Sequence, residues 1–134
     1  MIGDTDLFID LMHRRRPGHA PAVARIRELE GRGMRIGMAA ITRLELASGA
    51  EQYVRPAEER ERVLRVIRAF PAFPIDGPVA DRAGSLLGSL RSRGVVLDIP
   101  DVLIAAVALA QHEPVLTRNR KDFERIPGVV VETY

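Results

Sequence analysis

DIPDVLIAAVALA, residues 98–110, is the stretch on which the fold turns. Two carboxylates, Asp98 and Asp101, lead a run that is wholly apolar from Val102 to Ala110. A helix apolar around most of its circumference belongs in an interior, and Pro100 suits its first turn, where a missing N–H costs nothing. A carboxylate carried into such an interior is costly unless something pairs with it. The rest of the chain has to supply both the layers around this helix and the partner for its acid.

Working outward, strands and helices alternate. MIGD (1–4) reads as a very short strand and TDLFIDLMH (5–13) as a helix. From about Ala20 to Arg32, Val23, Ile26 and Leu29 recur at helical spacing, and Gly31 and Gly33 mark the stop. MRIGMAA (34–40) reads as a strand, followed by the helix ITRLELASGA (41–50), whose Thr42 and Glu45 have capping-box spacing. Pro56 opens PAEERERVLRVIRAF (56–70), with Val63, Leu64 and Ile67 as its buried stripe. AFPID (72–76) is a short strand, and Pro78 to about Arg93 is a helix closed by Gly94. After the apolar helix, PVLTRN (114–119) is a strand, RKDFERI (120–126) one or two helical turns and VVVET (129–133) a last strand. Such alternation predicts one α/β domain over residues 1–134, with a central, mostly parallel sheet of about four to five strands covered on both faces.

Composition agrees with that class. Hydrophobic residues make up 46% of the 134, which is enough for a single core and too much for a disordered chain. The absence of cysteine excludes disulfides and thiolate metal sites and suits a reducing, cytoplasmic setting. No apolar run approaches the roughly 18 residues of a membrane span, and no export signal is legible, so no membrane association is expected. Positive charge is almost all arginine, Lys121 being the sole lysine, and the net charge is only +2. The clearest basic run, Arg14, Arg15 and Arg16 before Pro17-Gly18, has a plain reading as a solvated loop.

In parallel α/β sheets ligands gather at the carboxyl ends of the strands, and here those positions are mostly acidic. Asp4 and Asp6 follow the first strand, Glu45 lies in the helix after the second, Asp98 and Asp101 start the apolar helix, and Asn119 and Asp122 follow PVLT. Each has a bland reading: Glu45 as the partner of Thr42 in a cap, Asp101 as an acid favoured by the helix dipole, Asp98 and Asp6 as caps. Asp10 and Asp81 fall at ordinary polar-face spacing and read as solvated. Their joint placement carries the weight. Carboxylates sharing one cleft repel one another, and a divalent cation removes that conflict. Oxygen donors without cysteine, and with histidine only at 13, 19 and 112, favour Mg²⁺ or Mn²⁺ over zinc. Such an ion could bring an activated water to a phosphodiester and stabilise charge on the scissile phosphate.

Three blocks carry a resemblance: MIGDTDLFIDLM, AAITRLELASGA and DIPDVLIAAVALAQHEPVLTRNRKDFERIPGVVVETY. Together they resemble the PIN-domain ribonucleases of the VapC toxin type, essentially from end to end. The resemblance implies a PIN-like three-layer α/β/α fold and a metal-dependent endoribonuclease. Asp4, Glu45 and Asp101 match the acids that gather Mg²⁺ or Mn²⁺, with Asp98 an accessory acid. The family's fourth acidic position falls on Asn119, a neutral oxygen donor, with Asp122 nearby to supply charge. Thr5, Asp6 and Thr117 match accessory positions, the threonines suited to hydrogen-bonding water or phosphate, and Arg118, Arg120 and Lys121 are implied phosphate contacts. The resemblance further implies an RNA substrate (tRNA, rRNA or mRNA), silencing by a VapB-type antitoxin and a homodimer. With few aromatic residues outside the expected core, RNA shape and backbone contacts are expected to outweigh base stacking.

Two other readings start from the same residues. Asp4-Thr5-Asp6 after a strand resembles the D-x-D entry of haloacid-dehalogenase-type phosphatases, but that chemistry wants a lysine beside the phosphoryl group and leaves the LIAA, TRN and DF blocks unexplained. Alternatively, the neutral Asn119 would suit a non-catalytic PIN-like module that binds RNA or protein without cutting. Metal-dependent cleavage separates these cases.

Overall fold

The computed structural model describes the whole chain, Met1–Tyr134. Its strands are short: β1 (Ile2–Gly3), β2 (Gly37–Ala39), β3 (Ala72–Phe73), β4 (Val115–Leu116) and β5 (Val131–Glu132). The helices are α1 (Thr5–Met12), α2 (His19–Gly31), α3 (Ala40–Ala50), α4 (Pro56–Ala69), α5 (Gly77–Ser92), α6 (Ile99–Gln111) and α7 (Arg120–Phe123). All strand pairs are parallel and the order is β3-β2-β1-β4-β5. This is the expected α/β/α architecture with five strands, and the sheet is parallel throughout, not only mostly so.

Side chains alternate along these strands and feed two cores. Ile2, Ala39 and Val115 join α6, α5 and Phe123 on one side, with Ile104 and Leu90 fully buried among them. Met38 and Leu116 point the other way, to Leu7 and Phe8 of α1, Leu29 of α2 and Val63 of α4. Register explains the split: Ile2 lies opposite Gly37 and Val115, and Gly3 opposite Met38 and Leu116. At Gly3 a Cβ would stand 2.8 Å from both Leu7 Cδ2 and the Phe8 ring, so glycine lets the first turn of α1 close directly onto β1.

In α6 six residues, Val102 and Ile104 through Ala108, are buried, as its apolar sequence requires. Small residues at most of these positions let it lie close to both sheet and α5. Truncating Ile104 there would cost roughly 2–5 kcal/mol.

Several local expectations need correction. The strand expected over 34–40 shrinks to Gly37–Ala39, because its partner β1 offers only two residues to pair with. The capping box of Thr42 and Glu45 does not form: α3 begins at Ala40, its N-cap is Ala39, and no side chain caps it. Asp76, expected at the end of a strand, is the N-cap of α5 and accepts from the Val79 N–H at 3.0 Å. Leu64, expected in the buried stripe of α4, is 47% exposed, while Val63 faces the core.

Candidate active site

The chain leaves β1 for β2 and β3 on one side, then returns to place β4 on the other side of β1. The carboxyl ends of β1 and β4 therefore flank the switch point of the sheet, where parallel folds leave a crevice. Asp4 follows β1 directly and Thr117 follows β4. Thr117, fully buried, donates its hydroxyl proton to Asp4 Oδ2 at 2.7 Å and accepts from the Asn119 backbone N–H at 2.8 Å. Its single proton is thereby committed to the carboxylate, and the rotamer of Asp4 is held from the neighbouring strand. Asp4 is 6% exposed, and burial pushes its carboxyl above the usual range despite that hydrogen bond, with Asp6 and Glu45 adding repulsion.

Glu45 comes from α3 and turns toward α1, where Thr5 Oγ1 lies 2.5 Å from Glu45 Oε2 and 3.2 Å from the buried Thr42 hydroxyl. Thr5 has one proton, and a carboxylate is the stronger acceptor. What spacing suggested was a helix cap is thus a contact between α1 and α3, and Thr42, seen in sequence only as a cap, belongs to the site. Asp101 stands in the first turn of α6, half-buried. Burial, then the charges of Asp4, Asp122, Asp98 and Glu45, push it up to about 7. Asp98 is the N-cap of α6 without a side-chain cap bond, and it is exposed.

These acids share one electrostatic field without touching. No three acidic or histidine side chains stand within mutual reach of one ion as placed. Chemically the set still fits a hard divalent cation: the donors are carboxylate, amide and hydroxyl oxygens, and burial first, then repulsion among the acids, raises the pKa of Asp4 and Asp101. Side-chain rotation of the half-buried Glu45 and Asp101 toward Asp4 is what such an ion would demand.

The remaining expected residues divide. Asn119 Nδ2 donates to Asp122 Oδ2 at 2.9 Å, which ties both to the site and leaves the Asn119 carbonyl oxygen free of that bond. Asp6, on the first turn of α1, faces Arg16 Nη2 at 3.6 Å. Arg120 is paired with Glu124, and Lys121 is exposed. Arg118 turns back into the protein, its Nη2 2.8 Å from Asp10 Oδ2 and its guanidinium over the Tyr134 ring.

Asp10 is the residue that the sequence concealed. Expected to be solvated, it has no exposed surface. Oδ1 accepts from Arg16 Nε at 2.6 Å, and Oδ2 accepts from the Tyr134 hydroxyl at 3.0 Å and is ion-paired with Arg118. Its backbone carbonyl takes a hydrogen bond from His19 Nδ1 at 2.8 Å, which places that ring proton on Nδ1. At Gly18 a Cβ would lie 2.0 Å from Asp10 Oδ2, so only glycine leaves room for the carboxylate. Through Arg118 the cluster anchors the segment that carries Thr117 and Asn119. Nothing local in the sequence marks it, since its partners come from three separate segments.

Comparison with known proteins gives a consistent picture. The PIN domain family matches residues 1–129. The tRNA(fMet)-specific endonuclease VapC of Salmonella typhimurium is 32% identical over 104 residues, 75% of this chain and 76% of that protein. Ribonuclease VapC1 of Methanocaldococcus jannaschii is 27% identical over 98% of this chain and 84% of its own length. Among solved structures, a DNA-bound VapBC complex from Salmonella typhimurium superposes with a TM-score of 0.85 at 27% identity, covering 98% of this chain and 96% of that one.

Proposed function

The chain belongs to the PIN-domain family, among its VapC ribonucleases, and from that premise we propose that its acidic edge hydrolyses RNA phosphodiester bonds. The observation that carries the assignment is Asp4: a buried carboxylate at the switch point, oriented by Thr117 and surrounded by further acids instead of cations. Asp4, Glu45 and Asp101 would hold the metal, Mg²⁺ or Mn²⁺, with Asn119 and Asp122 completing the rim. When bound, such an ion neutralises the carboxylates, stabilises charge on the scissile phosphate and makes water a better nucleophile.

This chain's own residues do the positioning. Thr117 keeps Oδ2 of Asp4 occupied and so fixes the carboxylate's rotamer, and the Asn119 N–H keeps Thr117 in place. Thr5 does the same for Glu45. Asp101, pushed up to about 7 by burial and by the neighbouring carboxylates, holds its proton far more readily than an ordinary aspartate. Lys121, which is exposed, would meet phosphate, whereas Arg118 serves through its hold on Asp10.

The protein works as a toxin silenced by a VapB-type antitoxin, as a homodimer and in the cytoplasm. No helix is long and apolar enough to cross a membrane. Cleavage of RNA in Mg²⁺ or Mn²⁺ tests the assignment. Asp4→Asn and Asp101→Asn should each lower the rate by at least ~100-fold. Cleavage that survives both substitutions would overturn it. RNA binding by the wild type with no cutting in either metal would make this a binding module, and phosphate release from small phosphomonoesters alone would make it a phosphatase.

A further inference from the structure

Beyond the acidic edge, at the far end of α1, the surface changes sign. Met12, His13, Arg14 and Arg15 face Arg62 and Arg65 of α4 across an open cleft of about 610 Å³. Arg62 is neutralised by Glu59 at 2.8 Å, while Arg14, Arg15 and Arg65 form no ion pair and are exposed. Glu59, 2% exposed, also holds His13 Nε2 at 2.9 Å, so one buried carboxylate fixes both walls of the cleft. The His13 ring is parallel to the Tyr53 ring, with centroids 5.5 Å apart and planes 2° from coplanar. Tyr53 remains 46% exposed.

This region is continuous with the acidic edge. Met12 and His13 line a smaller pocket together with Glu45, Leu46 and Tyr53. A path therefore runs from Glu45 past the exposed tyrosine to the unpaired guanidiniums. It follows the eight residues of α1, a rise of about 12 Å. Carboxylates at one end, an open ring face in the middle and uncompensated guanidiniums at the other suit a chain that alternates flat bases with phosphates. An acidic peptide would satisfy the arginines, but only a nucleic-acid strand brings a flat base with every phosphate for the ring to stack on.

We propose that the Tyr53–His13 pair and the arginine cleft form a second binding site for single-stranded RNA, where a base stacks on Tyr53 and a backbone phosphate lodges among Arg14, Arg15 and Arg65. The proposal rests on the ribonuclease reading only for what happens at the other end of the strand, because binding and cutting are measured separately.

The test is fluorescence-anisotropy binding of mixed-sequence oligoribonucleotides of about 12 and about 3 nucleotides to the full chain in EDTA. Cleavage of the same probes in Mn²⁺ is followed in parallel. The double variant Arg14→Ala/Arg65→Ala should bind the longer probe roughly tenfold or more weakly and flatten its salt dependence by about 0.7 per lost phosphate contact. Tyr53→Ala should weaken it by about tenfold, with Tyr53→Phe retaining most of the affinity because the ring remains. Arg82→Ala/Arg91→Ala removes the same charge from exposed positions of α5, and should bind like the wild type. Equal losses from both double variants would reduce the effect to net charge and overturn the proposal. So would unchanged binding in Arg14→Ala/Arg65→Ala, or a defect confined to capture of an acidic peptide. Cleft-dependent RNA binding by a protein that cuts nothing would support the second site while overturning the ribonuclease reading.

Discussion

Two buried aspartates flank α1, Asp4 before its first residue and Asp10 in its last turn, and their surroundings are opposite. Asp10 meets two guanidiniums and a tyrosine hydroxyl. Asp4 meets one hydroxyl and a field of other acids. Burial alone therefore does not distinguish a compensated acid from an uncompensated one; the charge that faces it does. Around Asp10 the protein supplies the compensating cations itself. Around Asp4 it withholds them, and the energetic debt is left for something from outside to settle.

Exchanging charge for neutral amide at the two sites should separate these roles most sharply. Asp4→Asn is expected to abolish metal-dependent cleavage while leaving folding stability unchanged or slightly raised, because it removes an uncompensated buried charge. Asp10→Asn should instead lower stability by about 3 kcal/mol in urea titration, the lower end of the range for breaking a buried pair, since Arg16 and Arg118 can rehydrate. A matching stability loss in Asp4→Asn would erase the distinction. Next in size, Thr117→Val keeps the shape but frees Asp4; activity should fall roughly tenfold through kcat, with stability changed far less. An unaltered kcat would mean that Thr117 merely fills space.

The smallest effect is a pH trend. Asp101 titrates at about 7 in the fold against its ordinary 3.8, so between those values the folded state binds more protons than the unfolded one. Stability is then fully present below the lower value and is lost as pH rises toward 7. In EDTA, Tm should decline from about pH 5 to about pH 7, where the arginine-paired carboxylates are already ionised, and Asp101→Asn should flatten the decline. A Tm that rises through this window would refute the uncompensated-acid account.

Much of this was legible before any coordinates. The apolar run after Pro100, the proline and glycine punctuation and the spacing of Ile26 and Leu29 each report on a few neighbouring residues, and the helices stand close to where those signals lie. Acids placed after successive strands pointed to the candidate site, because a parallel sheet brings those positions to one edge. Local spacing misled where a side chain had two possible partners. Glu45 is three residues from Thr42, yet its hydroxyl partner is Thr5, forty positions away.

Asp6 and Asp10 show the same limit most plainly: one residue type, one helical turn apart, the first half exposed and the second sealed. By itself the sequence determined which segments are helix or strand, which run is buried and which strand ends are acidic, because those properties depend on neighbours within a turn or two. Only the tertiary structure decided which acid is compensated. The groups that satisfy Asp10 arrive from residues as distant as Tyr134, 124 positions along the chain, and the energy of a buried charge depends on distance in space.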